Sequence, residues 1–317
     1  MTAVGETRSE DRRPNCPITG LPAKRRVQRI SSDLLIGLWR ASFGVATERQ
    51  LGVVPSFSLW ESRCGLAFFD PMIAGDAAFY DDLYVRLGKE GPWTTRHAEG
   101  FDYRRAAALV RPGDRVLDVG CGSAGFSRFA PQARYVGLDQ STVAGAAADV
   151  RHESIADHAR LHPGEYDVVC SFHVIEHVTD PVSFAADMMR CLRPGGRLVL
   201  AVPAWPGAMT DVPNLALNGP PHHLTWWTEN ALRALAERLG AVVETAEVLP
   251  PSLRLRRIYW MGWAAPKLTG DRFFRHAWGW HFGLVWSWLA GLVCSFVFGR
   301  RLPGRPFELF LAARKPG

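Results

Sequence analysis

The stretch that most narrows what this chain can fold into is DVGCGSAG, Asp118–Gly125. It closes a short apolar run, RVLDVG (115–120), and leads into FSRFAPQ, which reads as the start of a helix. Gly120, Gly122 and Gly125 stand in the spacing G-x-G-x-x-G. Glycines suit such a turn because it is tight and because a ligand must approach bare backbone, with helix N-terminal amides pointing at it. The spacing alone is shared by several nucleoside-binding loops.

Three more apolar runs follow: ARYVGLD (133–139), YDVVCSF (166–172) and RLVLAVP (197–203). Runs apolar on both faces and separated by helical stretches predict a parallel sheet covered by helices. Asp180 with Pro181 reads as a helix start for PVSFAADMMRCL, stopped by RPGG. Thr228 opens ENALRALAERLG, whose Leu232, Leu235, Ala236 and Leu239 share one face before Gly240 ends it. AVVETAEVL and FELFLAA (307–313) supply two further strands. The expected fold is an α/β, Rossmann-like doubly wound sheet with ligands at the strands' carboxyl ends. Asp139, closing the second strand, can hold both hydroxyls of a ribose, a feature of nicotinamide and S-adenosylmethionine enzymes alike.

Several ordered blocks distinguish between those two. VLDVGCGSAGFSRF, YVGLDQS, ESIADHARLHPGEYDVVCSFHVIEHVTDP, CLRPGGRLVLAVP and PHHLTWWTENALRALAERLGA together resemble the class I S-adenosylmethionine-dependent methyltransferases. The middle block resembles the O-methyltransferases of ubiquinone biosynthesis. The histidine-rich block resembles methyltransferases that modify sugars and natural products. The resemblance implies S-adenosyl-L-methionine as cofactor and assigns roles residue by residue. Asp118 would order the loop and reach the methionine amine. Gly120, Cys121, Gly122 and Gly125 would form the backbone cradle, and Asp139 would hold the ribose. Gln140, Ser154 and Ile155 would flank adenine, while Ser171, Phe172 and His173 would border the sulfonium. The family often has Gly where this chain has Ala124.

Attack on a sulfonium neutralises its charge, so catalysis should rest on orientation and water exclusion, with a base near neutral pKa where the acceptor is a hydroxyl. His173, His177, His222 and His223 are the candidate bases, His223 and His173 first, and Glu176 is a candidate orienting group. The HH and IEH patterns lack the i, i+4 spacing of a helical zinc site, so no catalytic metal is expected. The N-terminal CPITG (16–20) and ESRCGLAFFDP (61–71) resemble a methyltransferase zinc segment in which Thr19 and Glu61 now stand where ligand cysteines would be. Two thiolates do not make a four-ligand site.

Composition matters most near the C-terminus. Of the +6 formal charge, residues 251–317 carry +9, from eleven Lys or Arg against two acids, leaving −3 for the rest. Six of the twelve Trp lie there as well, which suits an anionic membrane surface better than nucleic acid. Residues 277–299 would make a helix of about 34 Å, long enough to span hydrocarbon. Gly279, Gly283, Ser287, Gly291, Ser295 and Gly299 line one of its faces, letting another helix approach closely. Because 307–313 must rejoin the sheet, the segment is expected to return as a hairpin with 258–266 or to lie along an interface anchored by Arg300 and Arg301, not to cross once. Burial against the enzyme or a second subunit is the alternative.

The expected organisation is a disordered tail at 1–15, then an N-terminal region with the zinc-like segment and a helical cap at 16–100. A methyltransferase core follows at 101–250, a basic, Trp-rich helical insertion at 251–304, and the final strand and tail at 305–317. No signal-peptide core is visible, and six scattered cysteines imply reduced thiols, so the expected location is cytoplasmic, peripheral to the inner membrane face. The expected activity is O-methylation of a small-molecule, saccharide or lipid-linked acceptor, with membrane contact through 258–301 or a homodimer as partners and no nucleic acid. A quinone-precursor O-methyltransferase, a nicotinamide-dependent oxidoreductase and a catalytically silent cofactor-binding scaffold are the rival readings.

Overall fold

In the computed structural model, which describes residues 13–87, 100–140, 150–250, 256–264, 273–275, 278–298 and 305–317, the chain begins with a small antiparallel sheet. β1 (Arg25–Ser31) pairs with β2 (Ser56–Glu61), β2 with β3 (Ala67–Asp70), and β3 with the later β9 (Thr225–Trp226). Between β1 and β2 come α1 (Ser32–Phe43) and α2 (Glu48–Leu51), and α3 (Ala77–Leu87) follows β3. The strands β2 and β3 bury Phe57, Leu59, Phe68 and Phe69. Most of the expected tail, residues 1–12, lies outside the described residues.

The predicted apolar runs become the main sheet. After α4 (Phe101–Ala107) come β4 (Arg115–Val119), β5 (Arg134–Leu138), β6 (Val150–Arg151), α5 (Ile155–Leu161) and β7 (Tyr166–Phe172). Then follow α6 (Pro181–Cys191), β8 (Leu192–Pro203), α7 (Glu229–Arg238) and β10 (Val242–Val248), with β11 (Glu308–Arg314) last. Among the described residues the order is β10-β11-β8-β7-β4-β5-β6. The five strands from β4 to β8 are parallel, and β11 and β10 are antiparallel at one side. Both faces are covered, leaving Val168, Val169, Leu198, Val199 and Leu200 with essentially no exposure, so the run of apolar residues is explained by two-sided burial. Asp180 and Thr228 cap α6 and α7 by accepting from Ser183 N and Ala231 N, as their sequence positions predict.

One predicted helix is shorter than expected. FSRFAPQ forms only a single 3-10 turn, Gly125–Arg128. Pro131 disfavours helix at the residue before it and lacks an amide, and Phe126 is already buried in the core by that turn.

The insertion between β10 and β11 is a pair of helices, α8 (Arg256–Ala264) and α9 (Trp278–Val297). Gly291, in the stripe of small residues on α9, faces α8. At Gly291 a Cβ would lie 2.6 Å from Met261 Cγ and 3.0 Å from Arg257 O, so only glycine permits this approach. Ser287 is fully buried and donates to Gly283 O at 2.7 Å. Gly299, Arg300 and Arg301 lie outside the described residues. Among the described residues no helix is long and apolar enough to cross a membrane.

Candidate active site

The glycine loop is a cradle made by backbone geometry. Gly120 has φ +74°, and a Cβ there would sit 2.3 Å from Val174 Cγ2, so the loop and the turn after β7 meet only because residue 120 has no side chain. Gly122 has φ +52°, with open space where its Cβ would be, and its N–H donates to Asp139 Oδ2 at 2.7 Å. The amides of Gly120 and Cys121 both donate to Leu138 O. Loop and ribose-type acid are therefore held as one unit at the carboxyl ends of β4 and β5. Ala124, where the resembled family often has Gly, adopts φ +56° in the left-handed region, at a cost of roughly 1–2 kcal/mol for a residue with a Cβ. Gly125 follows with its Cα packed toward Tyr103.

Asp118 lies beneath this loop at 1% exposure. Its Oδ2 accepts from Tyr135 Oη at 2.7 Å, whereas Oδ1 is buried with no hydrogen-bond partner among the described residues. Burial pushes its carboxyl up to about 7, the Tyr135 hydroxyl pulls the other way, and the nearby Asp139 adds to the rise. An orphaned carboxylate oxygen of this kind fits an ammonium group, and with the open Gly122 face the residues present fit the amino-acid end and ribose of S-adenosylmethionine. Burial and the charge of Asp118 likewise push Cys121 up to about 12, so its thiol stays neutral.

The other predicted contacts divide. Gln140 is exposed directly after Asp139, and 141–149 lie outside the described residues. Asp139 N donates to Arg151 O, which brings the 152–155 segment to the same sheet edge. Ile155 is 8% exposed there, whereas the Ser154 hydroxyl is engaged in capping α5, accepting from Asp157 N and donating to Asp157 Oδ2. Ser171 Oγ donates to Val119 O at 2.9 Å, clamping β7 to the end of β4. Phe172 points to the other side, against Tyr103 and Phe126.

His173 has φ +59° and its amide donates to Ala201 O. That turn drives its imidazole into a nest of carboxylates with the side chain 1% exposed. Nε2 lies 3.2 Å from Glu308 Oε1 and 3.9 Å from Asp102 Oδ2, and Nδ1 lies 3.6 Å from Glu176 Oε1. Glu176 is fully buried and also lies 3.8 Å from His177 Nε2. Burial pushes the Glu176 carboxyl up, and the imidazoles of His173 and His177 outweigh that, leaving it below its ordinary value. His177 Nδ1 donates to His222 O at 2.8 Å, and Leu224 N donates to Glu176 O, so the PHHL segment is docked on the Ile175–His177 turn. The rings of His177, His222 and His223 lie 4.3–4.9 Å apart, centre to centre. All four histidines and Glu176 thus belong to one network, with His173, Glu176 and His223 buried and His177 and His222 partly exposed. Asp102, Glu308 and Tyr80 belong to it too, and sequence reasoning did not single them out. Asp102 and Glu308 come from opposite ends of the chain, and only the FEL start of the last strand offered a signal.

The zinc-like segment brings its two cysteines together. Cys16 Sγ lies 3.8 Å from Cys64 Sγ, and Ser62 Oγ is 3.1 Å from Cys64 Sγ. Glu61 turns away to pair with Lys24 and Arg25. The hydrogen bond from Cys64 holds Cys16 down at about 5, against the opposing effect of burial.

Comparison with known proteins agrees with this geometry. The Methyltransferase domain family matches residues 94–246. A ubiquinone biosynthesis O-methyltransferase of Xanthomonas campestris is 34% identical over 128 residues, covering 35% of this chain and 53% of that protein. A protein of Mycolicibacterium smegmatis named "Probable S-adenosylmethionine-dependent methyltransferase" is 35% identical over 167 residues, covering 50% of this chain and 62% of its own length. The matched part thus spans little more than half of these curated relatives. A crystal structure of a SAM-dependent methyltransferase from Archaeoglobus fulgidus superposes with a TM-score of 0.50 at 18% identity, covering 73% of this chain and all of that one, which supports the fold. The cradle, the acid after β5 and the orphaned Asp118 oxygen thus lie within the stretch, residues 94–246, that is similar to the methyltransferase domain family, on a fold of the class I S-adenosylmethionine-dependent methyltransferase type.

Proposed function

We propose that the chain transfers a methyl group from S-adenosylmethionine to a hydroxyl of a saccharide or lipid-linked acceptor presented at a membrane face. The observation that carries the chemical part is an adjacency. Val174, whose side chain packs on Gly120 of the cradle, stands between His173 and the Ile175–His177 turn, so the candidate base adjoins the methyl donor's site. Bound S-adenosylmethionine supplies an activated methyl on a sulfonium. The residues of this chain do the rest: Asp118 takes the amine, Gly122 and Asp139 fix the ribose, and the Val174 side chain against the cradle excludes water. His173 accepts the acceptor's proton, and Glu308, Asp102 and Glu176 stabilise the imidazolium that results.

What supports a membrane-facing placement is the outer surface of the insertion. Phe282, Trp286, Phe296 and Val297 on α9, with Trp263 on α8, are each more than 60% exposed. Arg257 stacks 4.4 Å from the Trp288 ring centre, an arrangement suited to an interfacial helix. A contiguous exposed apolar face in a basic segment fits an anionic bilayer. A second copy of the chain covering that face is the competing arrangement, and a soluble dimer that ignores vesicles would support it.

The test is release of S-adenosylhomocysteine by the full chain with three acceptor sets: free saccharides, lipid-linked saccharides in anionic vesicles, and catechol-type quinone precursors. Turnover with the lipid-linked set supports the reading. Turnover confined to the catechols would replace it with the quinone-precursor activity of the named relatives. Cofactor binding with no turnover on any acceptor would favour a silent scaffold.

A further inference from the structure

We infer that His177, His222 and His223 form a binding site for a divalent transition-metal ion, with Glu176 as its charge partner. In the sequence these histidines look unpromising, because two are consecutive and the third is 45 positions away. Folding removes that objection. One ring nitrogen from each lies within 4.8 Å of the others. Three such points fit within a circle of about 2.8 Å radius, against ~2.0–2.1 Å for zinc–imidazole bonds, a gap that modest side-chain rotation closes.

For two of the three histidines the hydrogen bonding sets the tautomer. His177 Nδ1 donates to His222 O, and His222 Nδ1 donates to Leu217 O at 3.1 Å. A backbone carbonyl on Nδ1 fixes the tautomer in which Nε2 keeps its lone pair, as is usual for metal-ligating histidine. Two further groups point to a missing cation and its attendant ligands. Both Glu176 oxygens are fully buried with no hydrogen-bond partner among the described residues, and one is 3.8 Å from His177 Nε2. The Tyr80 hydroxyl is likewise buried without a partner there, its ring 5.9 and 6.1 Å from those of His177 and His222. Three imidazoles beside a carboxylate suit zinc, cobalt, nickel, iron or manganese better than magnesium or calcium.

This inference rests on the proposed methyl transfer only for its role. A cation at the end of the Ile175–His177 turn would hold the acceptor's oxygens beside the donor methyl and lower the hydroxyl's pKa. Binding itself is testable without turnover. The chelator-treated full chain would be titrated with cobalt(II) alone and read by its visible d–d absorption. The C16S/C64S variant would be run in parallel to remove thiolate binding, and H222A/H223A to remove two ligands. The expected result is one equivalent bound with an imidazole-type spectrum, unchanged in C16S/C64S and at least tenfold weaker in H222A/H223A. Should that last variant fail to fold, histidine-selective carbethoxylation of the wild-type chain decides, with three histidines protected by cobalt if the site exists. Equal binding by wild type and H222A/H223A, a spectrum of the hydrated ion only, or no protection would overturn the site. Calorimetry with S-adenosylhomocysteine on the same samples separates the two readings, since a chain that binds cobalt but not the nucleoside loses the proposed activity and keeps the metal site.

Discussion

The two edges of this site are built in opposite ways. The cradle edge is contiguous: Asp118 to Gly125 carries its own turn geometry, and Asp139 reaches it through one hydrogen bond to Gly122 N. The network edge is assembled from five separate parts of the chain, with Tyr80 on α3, Asp102 on α4, His173 to His177 after β7, His222 and His223 in the PHHL loop, and Glu308 on β11. A contiguous edge can be conserved in shape while the assembled edge is rebuilt for different acceptors. On the proposed assignment, cofactor recognition is local backbone chemistry, whereas acceptor chemistry depends on tertiary packing.

If that contrast holds, the largest effect should come from the cradle. Gly120→Ala places a methyl 2.3 Å from Val174 in a left-handed conformation. It should weaken S-adenosylhomocysteine binding at least a hundredfold and destabilise the fold by about 2–4 kcal/mol, read by calorimetry and chemical denaturation. His173→Asn, chosen because Asn tolerates a positive φ, should instead spare most of the cofactor affinity. It should lower kcat about 10²–10⁴-fold. An equal loss in both quantities would erase the distinction between the edges.

A smaller effect is a pH dependence unique to the cradle. Asp118 is raised to about 7, so near pH 6 it is mostly protonated, and an ammonium-bearing ligand favours the ionised form. Binding therefore releases a proton, and affinity for S-adenosylhomocysteine should rise about tenfold from pH 6 to pH 8. Asp118→Asn should abolish that slope. The smallest effect should come from outside both edges. Thr228→Ala removes the α7 cap, costing about 1 kcal/mol in stability with cofactor affinity unchanged.

The same contrast explains what the sequence disclosed. Two-sided burial makes β4, β5, β7 and β8 uninterrupted apolar runs, and capping residues announce α6 and α7, so the main sheet was legible. The antiparallel sheet of β1, β2, β3 and β9 was not, because β9 is two residues long and lies more than 150 positions from its partner β3. Asp118 and Asp139, the proposed cofactor acids, could be singled out because their distance from the glycines is fixed along the chain. Asp102, Glu308 and Tyr80 were not, since nothing local separates a network acid from a surface one. The small-residue stripe of α9 correctly implied a close helix neighbour, and that neighbour is α8.

The most direct test of the central claim is a calorimetric titration of the full chain with S-adenosylhomocysteine and, separately, with NAD. The account predicts one-to-one binding of the former, lost in Asp139→Ala, and no heat from the latter. Binding of the nicotinamide nucleotide, or S-adenosylhomocysteine binding that survives Asp139→Ala undiminished, would contradict it.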